Sequence, residues 1–126
     1  MKRAGAAVLA VVKQKYPNAR RLLVCCGAGN NGGDGYVVAR LAQRAGYVVD
    51  VVSLVEIETL TGDASRAYSD WCTLGLGLVD AENLHEVDVV VDALFGTGLQ
   101  REVTGVWRSL IEAINVSGVP IVAVDV

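Results

Sequence analysis

Residues 27–35 have the sequence GAGNNGGDG, which joins an apolar run (residues 21–26) to an amphipathic one (residues 34–45). The five glycines of this stretch let the backbone take positive φ angles and come close to a ligand. A helix that begins at such a loop directs free N–H groups and the positive end of its dipole towards the bound group. The stretch therefore predicts a ligand loop between a strand and a helix, with an anion as the expected ligand.

The P-loop is one nucleotide-binding motif with which this stretch can be compared. It needs a Lys followed by Ser or Thr directly after its last glycine, because these residues contact the phosphates and the metal. Gly27 and Gly32 have the P-loop spacing, but Gly33 and Asp34 follow in place of those residues. The sequence therefore argues against the main class of ATPases and GTPases.

The dinucleotide fingerprint G-x-G-x-x-G is a second comparison, and Gly27, Gly29 and Gly32 match it. Such a site also needs an acidic ribose ligand about 20 residues further on. Asp50 and Glu56 are the candidates for that ligand. The match is short, so it does not by itself establish a dinucleotide site.

Three polar residues of the loop, Asn30, Asn31 and Asp34, are not explained by either motif. A loop built only for backbone approach to a pyrophosphate does not need them, and Asp34 adds a negative charge beside the proposed phosphate. A polar substrate or a hard cation explains them better. Asp34 has an alternative role as the N-cap of the helix predicted over residues 34–45.

Continuous apolar runs alternate along the chain with apolar residues at helical spacing, which predicts alternating strands and helices. The Val-rich runs are typical of strands buried on both faces. Gly46 is expected to end the second helix, and Asp63 is the predicted N-cap of a third helix that ends before Gly75. The predicted strands span residues 21–26, 47–54, 87–94 and 121–126, and the other predicted helices span residues 1–15, 34–45 and 103–116.

Strands that alternate with amphipathic helices imply right-handed crossovers and a parallel sheet. We expect one domain over residues 1–126, an α/β three-layer αβα Rossmann-like sandwich with strand order 2-1-3-4. Ligands bind such sheets outside the carboxyl ends of the strands, at the switch point between the first and third strands. Polar and glycine residues follow those strand ends in residues 27–35, in residues 92–98 and at Asp125.

The composition disfavours two classes of partner. A net charge of −3 and a pI near 5.0 give no basic surface of the kind that nucleic-acid binders use. The mean hydropathy of +0.41 is high, but it comes from short strand-like runs. The apolar segment of residues 4–12 is too short to span a bilayer. We therefore expect neither a nucleic-acid nor a membrane partner.

The chain has three cysteines, Cys25, Cys26 and Cys72. Their odd number and the adjacency of two of them on a predicted strand argue against a disulfide framework and against a metal site. We interpret them as core residues of a protein in the reducing cytoplasm.

Asp92 and Asp125 end apolar strands, where a buried carboxylate needs a partner, a cation or a ligand. Each can alternatively cap a neighbouring helix or loop. Asn31 and Asp92 together offer hard oxygen ligands that suit an alkali or alkaline-earth cation. The single histidine, His85, is expected on a surface loop.

Three segments carry a resemblance to a known family. Residues 27–40 (GAGNNGGDGYVVAR), residues 91–99 (VDALFGTGL) and residues 122–125 (VAVD) resemble, in order and spacing, the YjeF N-terminal family of NAD(P)H-hydrate epimerases. In that family the reaction interconverts the R and S hydrates of NADH and NADPH, called NADHX and NADPHX, as a metabolite repair step. The resemblance covers nearly the whole chain, and it implies a homodimer.

The resemblance also implies the roles of particular residues. It implies a K⁺ ion held by Asn31 and Asp92, and Asp92 is the candidate catalytic acid or base because a carboxylate at a partly desolvated strand end can have its pKa moved towards neutrality. The residues that it implies for the substrate pocket are Asn30, Asn31, Gly32, Gly33, Asp34, Gly96, Thr97, Gly98, Leu99, Gln100, Arg101, Glu102 and Asp125.

The chain departs from the family at both ends. Family members have Pro-Ser-Gly after the position of Asp125, with a Ser that helps to hold the cation, and then further strands. They also have another helix before the position of Met1. We therefore expect a partial domain, in which epimerase activity depends on what the missing part supplies.

Two other functions remain open from the sequence. A non-catalytic binding or scaffold module, as in the enhancer-of-decapping proteins that share this domain, would keep the fold without turnover. An ordinary NAD(P) oxidoreductase is the third possibility, and the lack of a catalytic Tyr-x-x-x-Lys or Cys/His arrangement argues against it.

Overall fold

The computed structural model describes residues 2–27, 29–74, 77–79, 86–93 and 106–124. Within these ranges strands and helices alternate along the chain, and a short 3-10 helix, Ile57–Thr59, follows the second strand. The strands are β1 (Arg21–Cys26), β2 (Val48–Ser53), β3 (Val89–Ala93) and β4 (Ile121–Ala123), and the helices are α1 (Lys2–Lys15), α2 (Gly29–Arg44), α3 (Gly62–Cys72) and α4 (Val106–Ser117).

The four strands form one parallel sheet in the order β2-β1-β3-β4. In its register, Cys25 of β1 lies opposite Val52 of β2 and Asp92 of β3, and Asp92 lies opposite Ala123 of β4. β1 and β3 are therefore neighbours at the centre of the sheet. The predicted fold class and strand order are confirmed.

Each face of the sheet has its own apolar core. Leu22, Val24 and Cys26 of β1 pack in the larger core, which also contains buried residues of α1, α2 and α3. Leu23 and Cys25 point to the other face, where Ile114 of α4 packs against them. Because helices cover both faces, the central strands are buried on both sides, as their continuous apolar runs predict.

Two predicted helix starts are wrong. α2 begins at Gly29, five residues before the predicted start at residue 34, so most of the glycine-rich stretch is helix. Glycine lowers helix propensity by about 1 kcal/mol per residue, and here close packing of α2 on the sheet outweighs that preference. α3 begins at Gly62, and its N-cap is Thr61 without a side-chain hydrogen bond, so Asp63 lies in the first turn and is not the cap.

The other predicted boundaries agree within two residues where the structure describes them, except that β4 ends at Ala123, three residues before its predicted end. β1 has the predicted bounds, and Gly46 follows the end of α2 with a φ of 100°. Trp71 of α3 is buried, and its indole N–H donates to the carbonyl oxygen of Gly77 at 3.2 Å. Residues 103–105 and 125–126, in the predicted fourth helix and fourth strand, lie outside the described ranges.

An aspartate that the sequence analysis did not single out joins the amino ends of β1 and β3. The backbone N–H groups of Arg20 and Arg21 both donate to Oδ2 of Asp88, at 2.8 and 2.9 Å. The N–H of Asp88 in turn donates to the carbonyl oxygen of Arg21 at 2.8 Å. These backbone donors lower the pKa of the Asp88 carboxyl group.

We expect Asp88→Asn to lower the thermal midpoint of unfolding by about 3 °C at pH 7, because two backbone N–H groups lose a charged acceptor. The effect is small because the carboxylate is exposed and its bonds are screened by water. A lowered pKa in the folded protein stabilises the fold above the unfolded value, near 4, and this stabilisation is lost as the pH falls through the folded value. The difference between parent and variant should therefore shrink as the pH falls below 4 and disappear below the folded pKa of Asp88. Glu86→Gln, a neighbouring exposed residue, is the control, and equal midpoints for the parent and Asp88→Asn at pH 7 would contradict the prediction.

Candidate functional site

The carboxyl ends of β1, β3 and β4 meet at one edge of the sheet. The N–H of Gly27, directly after β1, donates to the carbonyl oxygen of Ala93 at the end of β3, at 3.0 Å. The N–H of Val124, directly after β4, donates to the carbonyl oxygen of Asp92 at 2.8 Å. These bonds bring the start of the glycine-rich stretch, Asp92 and the residue before Asp125 to the same edge.

The N-terminal turn of α2 begins two residues after Gly27. Asn30 and Asn31 are its second and third residues, so both lie at the end of the helix where backbone N–H groups have no partner within the helix. This end also carries the positive end of the helix dipole, which favours negative groups. The position of this turn at the sheet edge supports the predicted anion site.

Asp34 lies inside α2, and only 3% of its surface is exposed. The alternative role as a helix N-cap is therefore wrong, because the helix begins five residues earlier. Burial raises the pKa of the Asp34 carboxyl group. Burial thus disfavours the charged form of this carboxyl group, which lies beside the predicted ligand loop.

Asp92 lies one residue before the end of β3, half-buried, and its side chain shares a face of the sheet with Cys25. Burial and, to a smaller extent, the Asp92 charge raise the pKa of the Cys25 thiol to about 12. Cys25 is therefore a neutral thiol and not a nucleophile at physiological pH. Burial likewise raises the pKa of Cys26, and both residues are core cysteines as predicted.

The glycines of the loop serve close packing rather than unusual backbone angles. Positive φ angles occur at Gly46, Gly62 and Gly118, and at none of the loop glycines that the structure describes. A Cβ atom built on Gly32 would lie 2.0 Å from the carbonyl oxygen of Gly27, so a side chain cannot fit there. The prediction that these glycines provide positive φ angles is therefore wrong. The close approach at Gly32 is to the chain itself at Gly27, and the predicted approach to a ligand stays a prediction.

The acidic candidates for a ribose ligand differ in position. Asp50 is the third residue of β2, opposite Leu23, and its Oδ2 lies 3.9 Å from Nη1 of Arg21. It is therefore remote in register from the carboxyl end of the sheet, and it belongs to an ion pair at the other end. Glu56 is exposed and follows the carboxyl end of β2, so it alone of the two lies at the correct edge.

Tyr36 is a residue of this region that the sequence analysis missed. Its side chain is fully buried, and its ring packs edge-on against Tyr68 of α3, with 5.3 Å between the ring centres. Burial is also the main cause of its raised pKa. The contact holds α2 against α3, and the position of Tyr36 two residues after Asp34 was its only signal in the sequence.

Several predicted site residues are not tested by this geometry. The side chains of Asn30 and Asn31 and all of residues 94–105 lie outside what the structure describes, as do His85 and Asp125. In the described part, no three His, Cys, Asp or Glu side chains are grouped so that they could hold a metal ion. A groove of about 440 Å³ between α1 and α2 is lined by apolar residues with Lys13 and Arg44, and it includes none of the predicted site residues.

The fold and this edge define a parallel α/β protein with a glycine-rich stretch at the carboxyl end of a central strand. The family described as YjeF-related protein N-terminus matches residues 1–126. The chain belongs to this family, so the resemblance found in the sequence is confirmed. No helix in the described ranges is long and apolar enough to cross a membrane.

Similar proteins carry names of one metabolic role. The bifunctional NAD(P)H-hydrate repair enzyme Nnr of Escherichia coli is 44% identical over 129 residues, which cover all of this chain and 25% of that protein. The NAD(P)H-hydrate epimerase of Bordetella pertussis is 42% identical over 127 residues, covering all of this chain and 55% of that protein. The crystal structure of the yeast protein ynu0, YNL200c, matches with a TM-score of 0.77 and 25% identity, over all of this chain and 59% of the other. The chain thus spans between a quarter and three fifths of these relatives.

The buried Asp34 carboxyl group gives a testable pH dependence. Because its folded pKa is raised, the folded protein binds more protons than the unfolded chain just above pH 4, and stability falls as the pH rises through the folded value. Asp34→Asn removes this charge, so its thermal midpoint at pH 7 should exceed that of the parent by a few degrees, with a smaller pH dependence. Differential scanning calorimetry between pH 4 and 8 measures this, with the exposed Asp70→Asn as control. A lower midpoint for Asp34→Asn at pH 7 would show that the carboxylate stabilises the fold.

Proposed function

We propose that this chain provides the substrate-binding part of an NAD(P)H-hydrate epimerase, acting on the R and S forms of NADHX and NADPHX. The observation that carries the proposal is the meeting of the α2 N-terminal turn and Asp92 at one edge of the sheet, through the bonds of Gly27 and Val124 to the end of β3. Family membership and relatives named as NAD(P)H-hydrate repair enzymes and epimerases, at 44% and 42% identity, support it.

The N-terminal turn of α2 would bind the phosphates of the nucleotide. Its free backbone N–H groups and its dipole both favour an anion. The absence of a side chain at Gly32 leaves room for the close contact between this turn and the chain at Gly27. Asn30, Asn31, Gly33, Asp34, residues 96–102 and Asp125 complete the proposed pocket.

Asp92 would be the acid and base of the reaction. The substrate carries a hydroxyl group on its reduced nicotinamide ring, and epimerisation needs this group to leave as water and water to add to the opposite face. Asp92 would donate a proton to the departing hydroxyl and accept one from the water that adds. Its half-buried position beside the neutral thiol of Cys25 gives surroundings of low polarity for this transfer.

A K⁺ ion fits the donor chemistry at this place. Carboxylate and amide oxygens, from Asp92 and Asn31, are the hard ligands that such cations take, and the nearest cysteine is a neutral thiol that would not compete. The bound cation would supply positive charge for the anionic substrate. Replacement of K⁺ by Na⁺ or by choline should therefore slow epimerisation by the parent.

We also propose that the protein is a homodimer in the cytoplasm. Val116 of α4 is 86% exposed, so apolar surface remains in the described region. Such surface favours association. Free Cys25, Cys26 and Cys72 suit a reducing compartment.

The test of this function uses the parent and Asp92→Asn with R-NADHX in KCl, and chromatography follows the appearance of the S form. Loss of the charge should weaken nucleotide binding about 5- to 150-fold, since a charged contact contributes about 1–3 kcal/mol. Turnover should fall further, by about 10²- to 10⁴-fold, because acid–base catalysis is also lost. Asn31→Ala should weaken binding without the added loss of turnover.

Asp88→Asn is the matched control, because it removes a carboxylate from the opposite end of β3. It should lower the thermal midpoint and leave nucleotide binding unchanged. Parent-like binding by Asp92→Asn together with a lowered midpoint would make Asp92 a structural residue. Binding of the hydrate by the parent without any epimerisation would instead favour a non-catalytic binding module.

A further inference from the structure

α2 packs closely on the last residues of β1 and β3 at Gly35. A Cβ atom built on Gly35 would lie 2.7 Å from Sγ of Cys26 and 2.8 Å from Cβ of Ala93. Side-chain carbons in proteins essentially never approach other atoms within 3.0 Å. The backbone of α2 therefore lies directly on the last residues of β1 and β3, and glycine is the residue that permits it.

This contact joins the parts of the chain that carry the candidate site. Gly35 follows the buried Asp34, and Ala93 follows Asp92, while Cys26 precedes the residue that bonds β1 to β3. A shift of α2 away from the sheet would therefore change the position of Asp34 relative to Asp92. It would also move the helix turn that contains Asn30 and Asn31.

We propose that Gly35 is a positioning residue, whose missing side chain sets the depth of α2 on β1 and β3 and thereby the geometry between the helix N-terminal turn and Asp92. This inference rests on the proposed function only in the experiment that measures nucleotide binding. The side-chain direction of Gly35 is towards Cys26 and Ala93, so a methyl group there would act by displacing α2 from these residues.

The chain offers a matched control for the steric effect. A Cβ atom built on Gly5 of α1 would lie 2.7 Å from Cγ1 of Val37. This equals the distance from a Cβ atom built on Gly35 to Sγ of Cys26. That clash lies between α1 and α2, and none of its printed contacts is with a strand end. Gly5→Ala thus tests overpacking against α2 without adding an atom between α2 and the ends of β1 and β3.

The clash at Gly35 can also be relieved from the other side. Cys26→Ala removes the sulfur atom, and Ala93→Gly removes the Cβ atom, so together they make room for a methyl group at position 35. If Gly35 acts through the depth of α2, the triple variant Gly35→Ala/Cys26→Ala/Ala93→Gly should regain what Gly35→Ala loses.

Nucleotide binding measured by calorimetry is the first readout. We expect Gly35→Ala to raise the Kd for NADHX at least 10-fold. Gly5→Ala should change this Kd less than 2-fold, despite a similar fall in thermal midpoint. The triple variant should have a Kd within about 3-fold of that of the parent. Equal Kd values for Gly35→Ala and Gly5→Ala would overturn the proposal. A triple variant with a parent-like midpoint but weak binding would also overturn it, and this variant decides the question if Gly35→Ala alone does not fold.

A second readout does not depend on the ligand. Carbon-13 NMR titration of the Asp34 carboxyl group should show a lower pKa in Gly35→Ala than in the parent, because a raised helix admits water, and an unchanged pKa in Gly5→Ala. If the parent binds no NADHX, the proposed function fails, and this titration still decides whether Gly35 sets the position of α2. An Asp34 pKa in Gly35→Ala equal to that of the parent overturns the proposal.

Discussion

The close contact of α2 with the carboxyl ends of β1 and β3 is the constraint on which this part of the fold depends. Gly32 approaches the carbonyl group of Gly27, and Gly35 approaches Cys26 and Ala93, at distances that no larger residue allows. The N–H of Gly27 donates to the carbonyl oxygen of Ala93 at 3.0 Å, and this bond holds the ends of β1 and β3 together beneath the helix. Because interiors are packed as densely as organic crystals, this contact leaves α2 little freedom to shift.

The same constraint explains which parts of the fold could be predicted from the sequence. The central strands were predictable, because Leu22–Cys26 and Val89–Val91 are apolar without interruption and the structure buries them on both faces. The start of α2 was not, because glycine and asparagine are poor helix formers and their local preference indicates a loop. Only the packing of the helix on the sheet reverses that preference, and such packing is a tertiary effect.

The candidate site shows a similar division. The meeting of the ends of β1, β3 and β4 follows from parallel strands and could be predicted from the order of the elements. The role of single acidic residues could not, because spacing alone made Asp50 a ribose candidate whereas register places it near Arg21 at the other end. Asp88 gave no signal either, since its partners are backbone N–H groups 67 and 68 residues away in the chain.

The burial of Asp34 connects stability with the site. Protein interiors rarely hold carboxyl groups. Carboxyl groups with perturbed pKa values are concentrated at functional sites. Gly35 adds to the same argument, since a glycine in a helix interior lowers stability by about 1 kcal/mol relative to alanine. Glycine at position 35 therefore lowers the intrinsic helix propensity of α2, while its missing side chain permits the close contact with Cys26 and Ala93. The buried Asp34 directly precedes this contact, so a carboxyl group with a raised pKa lies close to the candidate ligand residues at the same edge of the sheet.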